Sequence, residues 1–283
     1  MNIEQFMVKH LTFIFLFCVP VYISAQGYFY TESTVNINAG GSIEIKGNAV
    51  INQPITGTGG FMVMNGDNPQ TMGGSSANMD NLRVSNNANV TLTDPLWVND
   101  TLTMASGIIY LMDENLYLAD NSFHTGNSVG FVETNGLGYM QRKVDSTPFT
   151  FHVGNNPEYF PIRLTETGTT DTFKVQAWDI LPDDGTSTGL PITTHVALLS
   201  FSFSDFVVGG NNLNISMQWN DSKNAIDFVQ PYAVGIWYNG SNYIEMDNCP
   251  TNVSTIDPNI VTYNGITNIG TFGIGDRDRK SVV

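Results

Sequence analysis

Cysteine and charge are both scarce in this sequence. Its 283 residues include only 2 cysteines, and charged residues make up 13% of the chain. Cys18 lies in an apolar N-terminal segment, so a chain that loses this segment keeps only Cys249. A single cysteine cannot form an intrachain disulfide, which excludes the small secreted domains held together by disulfides. Stability is therefore expected from apolar packing and backbone hydrogen bonds.

Basic residues are the scarcer of the two charge types. The chain has 11 Lys and Arg against 26 Asp and Glu, which gives a formal net charge of −15 at pH 7. Such a surface repels polyanions, and no basic cluster offsets the repulsion. The composition predicts no nucleic acid partner. Extracellular glycans or other surface proteins are the partners we expect.

Long apolar runs are missing except at the N-terminus. The run Leu11–Ile23 follows Lys9 and His10, and Ser24 and Ala25 supply small residues for cleavage. This pattern predicts a secretory signal peptide over residues 1–25, because the run is too short for a stable membrane span. A lipoprotein signal is disfavoured, since Phe17 precedes the cysteine where a small residue is required. We expect a secreted or outer cell-surface protein without a transmembrane segment after signal removal.

Short apolar segments with turn residues between them dominate residues 26–127. Segments such as Ser42–Gly47 and Leu96–Leu118 alternate with period two over a few residues, as strands do, and Gly, Asn and Asp separate them. Three short strands per coil, with apolar residues stacking from coil to coil, are typical of a parallel β-helix. The pattern predicts a β-solenoid over 26–127. Its asparagines are expected at corners, because asparagine tolerates the left-handed conformation.

Longer strands follow. Residues 128–147 predict a transition hairpin around Asn135-Gly136, and residues 148–276 contain six or seven alternating strands, as at Phe173, Val175 and Ala177. These features predict an antiparallel β-sandwich. The expected fold class is therefore all-β, a parallel β-helix or solenoid followed by an antiparallel β-sandwich.

The charged tail 277–283 is predicted to be unstructured. Its last six residues, DRKSVV, match one reading frame of a common short-read sequencing adapter. We therefore expect this tail to be artefactual and the chain to be a C-terminally truncated fragment, which resequencing of the locus would check.

Four motifs occur in an order that resembles a known module. They are DTLTMASGIIYLMDENLYLAD (100–120), GFVETNGLGYMQRKV (130–144), FTFHVGNNPEYFPIRLT (149–165) and ITNIGTFGIGD (266–276). This order is similar to that of a recurrent module in large cell-surface proteins of Bacteroidota that are associated with type IX secretion. The motifs are structural, so the resemblance implies a surface protein and says nearly nothing about activity.

No catalytic residues are predicted. Asp113 and Glu114 are adjacent and would point to opposite faces of a strand, and His124, His152 and His195 lack the spacing of zinc ligands. His152 is expected to be an exposed strand residue. The sequence therefore favours a non-catalytic structural or adhesive protein. A carbohydrate-active protein, either a β-helix polysaccharide lyase or a glycan-binding module, is the alternative.

Two features leave ligand binding open. The segments Asp183-Asp184-Gly185 and Asp247-Asn248…Asp257 offer hard oxygen ligands, so Ca²⁺ is considered although no other cofactor is expected. Trp237, Tyr238 and Tyr243 flank a predicted hairpin turn. Exposed rings of this kind stack on sugars, and we therefore name these three residues as candidate ligand-facing aromatics, with core packing as the competing interpretation.

Overall fold

The structure is a computed structural model that describes residues 6–8, 22–25, 27–246 and 250–277. The chain is all-β, with 55% of its residues in strands and 2% in helices. It divides into two compact units. The first comprises Met1–Glu133 and Leu137–Tyr139, and the second comprises Thr134–Gly136 and Met140–Val283. The predicted fold class is confirmed.

The first unit is a β-solenoid of about six turns. Its strands in chain order are β1 (Phe6–Val8), β2 (Tyr22–Ala25), β3 (Tyr28–Thr31), β4 (Val35–Asn36), β5 (Ser42–Ile45), β6 (Asn48–Ile51), β7 (Ile55–Thr56), β8 (Phe61–Met64), β9 (Gln70–Gly73), β10 (Asn78–Ser85), β11 (Val90–Leu92), β12 (Leu96–Tyr110), β13 (Leu116–Leu118), β14 (Phe123–Thr125) and β15 (Gly130–Glu133).

These strands form three parallel sheets, one on each side of the coil. Side one contains β3, β6, β9, β11, the end of β12 and β15. Side two contains β4, β7 and the starts of β10 and β12, followed by β13. Side three contains β2, β5, β8, the later parts of β10 and β12, and β14. One coil takes about twenty residues, since Tyr28 pairs with Asn48.

Strands β1 and β2 fall within the predicted signal peptide. The backbone of β1 pairs in parallel with β3, and that of β2 pairs with β5, so that Ile23 is the partner of Ile43. These pairings add to the same parallel stack. Cleavage after residue 25 stays a prediction.

Apolar side chains fill the interior of the solenoid in register. On side three, each buried residue has the next as its strand partner, in the order Ile43, Met62, Leu82, Leu102 and His124. Full burial of an aliphatic side chain contributes about 1.5–3 kcal/mol. Because these residues stack in register, each coil covers the apolar side chains of the next coil. A single coil could not bury them by itself.

Polar corner residues join successive coils through side-chain hydrogen bonds. In these contacts, an Asn or Asp side-chain oxygen accepts a hydrogen bond from a backbone N–H of an adjacent coil. For example, Asn48 Oδ1 accepts from Thr71 (2.8 Å) and Asn89 Oδ1 accepts from Ile108 (2.8 Å). Among the described asparagines only Asn89 has a positive φ, of 75°. The corners therefore use asparagine mainly as a hydrogen-bond acceptor, and the predicted left-handed backbone is the exception.

A buried pair of amides adds to these contacts. Gln70 Oε1 accepts from the Gly66 N–H (3.0 Å) and from Asn86 Nδ2 (2.8 Å), while Gln70 Nε2 donates to the carbonyl of Ile45 (2.9 Å). Both Gln70 and Asn86 are almost completely buried. Because every such group is costly when left without a partner, this pair fixes the register of the coils that it connects.

The second unit is antiparallel. Its strands are β16 (Met140–Val144), β17 (Phe149–Phe151), β18 (Val153–Asn155), β19 (Glu158–Tyr159), β20 (Ile162–Glu166), β21 (Asp171–Trp178), β22 (Val196–Asp205), β23 (Leu213–Trp219), β24 (Ala233–Tyr238), β25 (Tyr243–Glu245), β26 (Asn252–Ser254), β27 (Asn259–Ile266) and β28 (Gly270–Asp276). Two 3-10 helices, Asp221–Lys223 and Gln230–Tyr232, complete it. No helix within the described ranges is long and apolar enough to cross a membrane.

Two sheets of this unit pack face to face as a sandwich. One sheet has the order β16, β21, β22, β28, β24, β25, and the other has the order β17, β20, β23, β27, β26. The Gly235 N–H of the first sheet donates to the hydroxyl of Tyr263 in the second (2.8 Å). A Cβ at Gly235 would lie 2.7 Å from the Tyr263 ring, so only glycine allows this close approach.

The predicted hairpin over 128–147 is replaced by two strands with different partners. Strand β15 continues the parallel stack of the solenoid through β12, whereas β16 pairs antiparallel with β21. The Asn135-Gly136 turn lies between them in sequence, where parallel pairing gives way to antiparallel pairing.

The predicted unstructured tail begins one residue too early. The guanidinium of Arg277 contacts Glu245 Oε1 through Nε (2.9 Å) and Nη2 (2.7 Å), and its backbone N–H donates to the Tyr232 carbonyl (3.0 Å). Arg277 is therefore anchored on the sandwich. Residues 278–283 lie outside the described ranges.

Candidate functional site

The predicted aromatic hairpin is formed by β24 and β25. Trp237 pairs with Ile244, and Tyr238 pairs with Tyr243. Its turn is closed by the Asn239 side chain, whose Oδ1 accepts from the backbone N–H of the second and third residues that follow it (2.9 and 3.0 Å). Gly240 supplies the positive φ of 95° that the turn requires.

The three aromatic side chains of this hairpin do not share one face. Tyr238 and Tyr243 lie 5.3 Å apart between ring centroids and pack in an apolar cluster with Leu181 and Ile236. Tyr243 is only 6% exposed, and burial raises the pKa of its hydroxyl, with smaller contributions from Tyr238 and the nearby aspartates. Tyr243 is therefore a core residue, so its predicted contact with a ligand does not fit its position.

Trp237 points to the other side of the sheet. Its indole Nε1 donates to the carbonyl of Ile269 (3.2 Å), and its ring borders a cavity of about 50 Å³ together with Ile266 and Phe272. Small-molecule pockets usually enclose roughly 300–1,000 Å³, so this cavity is too small for a sugar ring. Ligand contact by Trp237 and Tyr238 stays a prediction.

The candidate calcium loops use their carboxylates in local hydrogen bonds. Asp183 Oδ1 accepts from the Leu190 N–H (2.9 Å), and Asp184 Oδ1 accepts from the N–H and the hydroxyl of Thr186 (2.8 Å each). Asp247 and Asn248 lie outside the described residues. In the part of the chain that the structure describes, no three or more His, Cys, Asp or Glu side chains gather as a metal site would require.

The histidines lie in separate environments. His152 Nδ1 is 2.5 Å from the Tyr159 hydroxyl and the two rings are stacked, so His152 is half-buried rather than exposed as predicted. Burial raises the pKa of Tyr159 to about 12. His195 Nδ1 lies 3.0 Å from the Asp227 carbonyl, and His124 occupies the interior of the solenoid.

A further group of aromatic residues, separate from the hairpin, lies on the outside of solenoid side two. Trp97 on β12 has Tyr117 on β13 as its strand partner, and their rings are stacked with 4.8 Å between centroids and 15° between planes. Tyr139 meets Tyr117 edge to face at 6.2 Å and 90°. We call Trp97, Tyr117 and Tyr139 the aromatic ladder. Trp97 is 39% exposed.

Polar side chains border the aromatic ladder on the side of the preceding coil. Asn78 is the strand partner of Trp97, and Asn99 Nδ2 donates to Asn78 Oδ1 (2.7 Å) and to Asp80 Oδ1 (3.1 Å). On the other side, Asn115 Nδ2 donates to the Tyr117 hydroxyl (3.2 Å). The ladder therefore combines flat apolar surface with amides and a carboxylate held in fixed positions.

Sequence reasoning missed the aromatic ladder, although a signal for it exists. Tyr117 follows Trp97 by 20 residues and Tyr139 follows Tyr117 by 22, which is the length of one coil. Side chains at this spacing fall above one another in a solenoid. A search for aromatics repeated at the coil length would have found them.

A further exposed apolar segment, Phe206–Val208, follows β22. Its three side chains are exposed, while the Val207 N–H donates to Asp171 Oδ2 (2.8 Å) and Asn211 Nδ2 donates to Asp205 Oδ2 (2.7 Å). These bonds fix the backbone of the segment. Its apolar tip has no polar side chain of its own to select a ligand, and we therefore take the aromatic ladder as the candidate site.

Comparisons with protein-family models, with curated proteins and with solved structures found no match for this chain. The relation to the Bacteroidota surface module therefore stays a prediction from the four sequence motifs.

Proposed function

We propose that this chain is a non-catalytic structural and adhesive protein of the cell exterior. The observation that carries the proposal is the aromatic ladder, which presents flat rings on a scaffold whose coils are tied together by side-chain hydrogen bonds. The predicted signal peptide and the four motifs typical of a Bacteroidota surface module support an extracellular location. Type IX secretion is part of the same proposal.

The scaffold suits the binding of a partner rather than the catalysis of a reaction. Side chains that are fixed by packing and by hydrogen bonds on both sides lose little conformational entropy when a ligand binds. Trp97 and Tyr117 sit on neighbouring strands in register, so the spacing of their rings is set by the backbone. A rigid surface of this kind favours repeated weak contacts with an extended partner.

An adhesion assay tests this proposal. Beads coated with the purified chain are passed over surfaces that carry neutral polysaccharides, anionic polysaccharides or extracellular proteins, and the eluate is analysed for reducing ends and unsaturated sugars. Retention without release of sugar fragments is expected. Release of unsaturated sugars would establish the alternative, a polysaccharide lyase, and the absence of retention on every surface would refute adhesion.

The extracellular location is tested separately. When the gene is expressed in a bacterium that exports the protein, N-terminal sequencing is expected to show that the mature chain begins at Gln26. A protein that keeps residues 1–25 and stays inside the cell would contradict the location, whatever the adhesion assay shows.

A further inference from the structure

We propose that Trp97 and the polar group Asn78, Asp80 and Asn99 form a binding site for a neutral polysaccharide. The inference rests on the proposed adhesive function and names the ligand class that the solenoid would hold. It concerns a surface of the first unit and does not involve the aromatic hairpin that the sequence suggested.

The geometry of the stack leaves one face of Trp97 available. The 4.8 Å between the Trp97 and Tyr117 centroids equals the usual distance between neighbouring strands, so the rings stack along the direction in which the coils stack. Tyr117 covers one face of the indole. The other face is directed toward the preceding coil, where the strand partner is the much smaller Asn78. This step in side-chain size accounts for the 39% exposure of Trp97.

The polar group beside this face matches the hydroxyls of a sugar. Asn99 uses its Nδ2 to bond Asn78 and Asp80, and Asp80 Oδ2 accepts from the Gly57 N–H (2.8 Å). Among the described residues, Asn78 Nδ2 and Asn99 Oδ1 have no hydrogen-bond partner; Asn99 is exposed and Asn78 is half-buried. One donor and one acceptor held side by side complement adjacent hydroxyls, since each hydroxyl both donates and accepts.

The charge around the site selects a neutral ligand. Asp80, which accepts a hydrogen bond from Asn99, contributes a negative charge to the site. The basic residues described in the solenoid are Lys46 and Arg83. Lys46 Nζ donates to the Asn65 carbonyl (3.0 Å), and Arg83 lies over the Phe61 ring on side three. A uronate or sulfate group near Asp80 would therefore meet repulsion without a compensating cation.

Tyr117 acts as a positioning residue for this site. It covers the rear face of the indole and is itself held by Asn115 and by the edge of Tyr139. Because its ring supports Trp97 on the side away from Asn78, its removal is expected to loosen the indole without removing a direct ligand contact.

Affinity electrophoresis and isothermal titration calorimetry with the full chain test the inference. The probes are dextran, galactomannan, xylan and laminarin as neutral polymers, and pectate and alginate as anionic ones. Wild type is expected to bind at least one neutral polymer. Trp97→Ala is expected to raise its Kd at least about 10-fold, because stacking on an aromatic ring is worth roughly 1 kcal/mol and hydrogen bonds beside it depend on the same pose.

Matched variants separate binding from folding. Phe123→Ala removes an aromatic ring that is 67% exposed in the same solenoid but lies outside the aromatic ladder, and it is expected to bind as wild type does. Trp97→Phe keeps a smaller ring and is expected to bind with intermediate affinity. Asn99→Ala is expected to weaken binding about 3- to 10-fold, the effect of one lost hydrogen bond. Circular dichroism checks that each variant is folded.

The outcomes are distinct for the two proposals. Unchanged polymer binding by Trp97→Ala, stronger binding of pectate than of every neutral polymer, or no binding of any neutral polymer by wild type would overturn this inference. If the coated beads still adhere to extracellular proteins in that case, the adhesive function stands and only its ligand class is wrong. If the beads adhere to nothing, both proposals fail.

Discussion

Two buried tyrosines of the sandwich use their hydroxyls in opposite ways. The Tyr263 hydroxyl accepts a hydrogen bond from the Gly235 N–H (2.8 Å), whereas the Tyr243 hydroxyl is buried and has no hydrogen-bond partner among the described residues. A buried polar group without a partner destabilises the folded state, because the same group is hydrogen-bonded to water in the unfolded chain. The tyrosine hydroxyl therefore stabilises the fold at Tyr263 and destabilises it at Tyr243.

We predict that Tyr243→Phe raises the free energy of unfolding by about 1 kcal/mol, because it removes a desolvated hydroxyl and keeps the ring. Tyr263→Phe is the matched control and is expected to lower it by about 1–3 kcal/mol, since it leaves a buried N–H without an acceptor. Urea denaturation of both variants measures the difference. A loss of stability in Tyr243→Phe would mean that its hydroxyl is hydrogen-bonded in solution.

Alkaline pH is expected to weaken the fold through Tyr159. Burial raises the pKa of this tyrosine from 10.0 to about 12, so the folded state retains its proton more strongly than the unfolded state. Its contribution is complete below pH 10 and is lost as the pH rises from 10 toward 12. Unfolding free energies measured over this range should decline less steeply in Tyr159→Phe than in wild type. Equal slopes would show that another group controls the decline.

At the scale of the element, glycines determine how closely one coil of the solenoid can pack on the next. Gly107 has a φ of +80°, and a Cβ at this position would lie 1.7 Å from the Asn86 carbonyl oxygen. Gly40 also has a φ of +80°, but a Cβ there would meet nothing within 4 Å. The first glycine is therefore required both by its backbone conformation and by the coil that lies against it, and the second only by its conformation.

We predict that Gly107→Ala destabilises the solenoid by several kcal/mol, on the order of 3 or more, because the coils must separate to admit the methyl group. Gly40→Ala should cost about 1–2 kcal/mol, which is the cost of the left-handed conformation for a residue with a Cβ. Thermal melts followed by circular dichroism compare the two. Similar losses in both variants would show that the contact with Asn86 does not limit packing.

Local pattern sufficed to predict the two architectures. The short period-two segments specify solenoid strands, and the alternation of Phe173, Val175 and Ala177 is reproduced as buried positions of β21. The partners of each strand were harder to predict, because parallel and antiparallel neighbours impose similar alternation. This is why β15 and β16 were assigned to one hairpin, although β15 pairs in parallel with β12 and β16 pairs antiparallel with β21.

The candidate site was less accessible to sequence reasoning than the fold. An aromatic-rich hairpin drew attention to Trp237, Tyr238 and Tyr243, yet successive strand residues point to opposite faces and one of these rings is buried. The aromatic ladder depends on contacts between residues about one coil apart. Coil length varies at the corners, as the spacing of 20 and then 22 residues shows, so such contacts follow only from the register.

For the whole molecule, the excess of acidic residues is the main source of long-range electrostatic repulsion. The net charge of −15 is unchanged if residues 1–25 are removed, because Glu4 and Lys9 leave together. The described structure contains ion pairs such as Lys223–Asp179 and Arg277–Glu245, which neutralise only part of the excess. Repulsion among the remaining carboxylates disfavours the compact state.

Salt should therefore stabilise the protein at neutral pH. We expect Tm to rise when NaCl is increased from about 10 mM to about 500 mM, because the screening length falls from about 30 Å to a few ångströms. Differential scanning calorimetry measures this change. The control is the same titration near pH 4.3, the isoelectric point, where the effect should nearly vanish. A fall in Tm with salt at pH 7 would mean that attractive ion pairs outweigh the repulsion.

The coil-to-coil hydrogen bonds have a mechanical consequence. They run along the direction in which the coils stack, so tension applied along that direction loads the bonds of the terminal coil first. That coil can peel away while the coils behind it remain closed. Since Tyr28 and Asn48 occupy equivalent places 20 residues apart, each detached coil releases roughly 65 Å of chain. A pulled solenoid would thus lengthen in equal steps, absorbing load as an extensible tether while the coils not yet reached keep their rings in place.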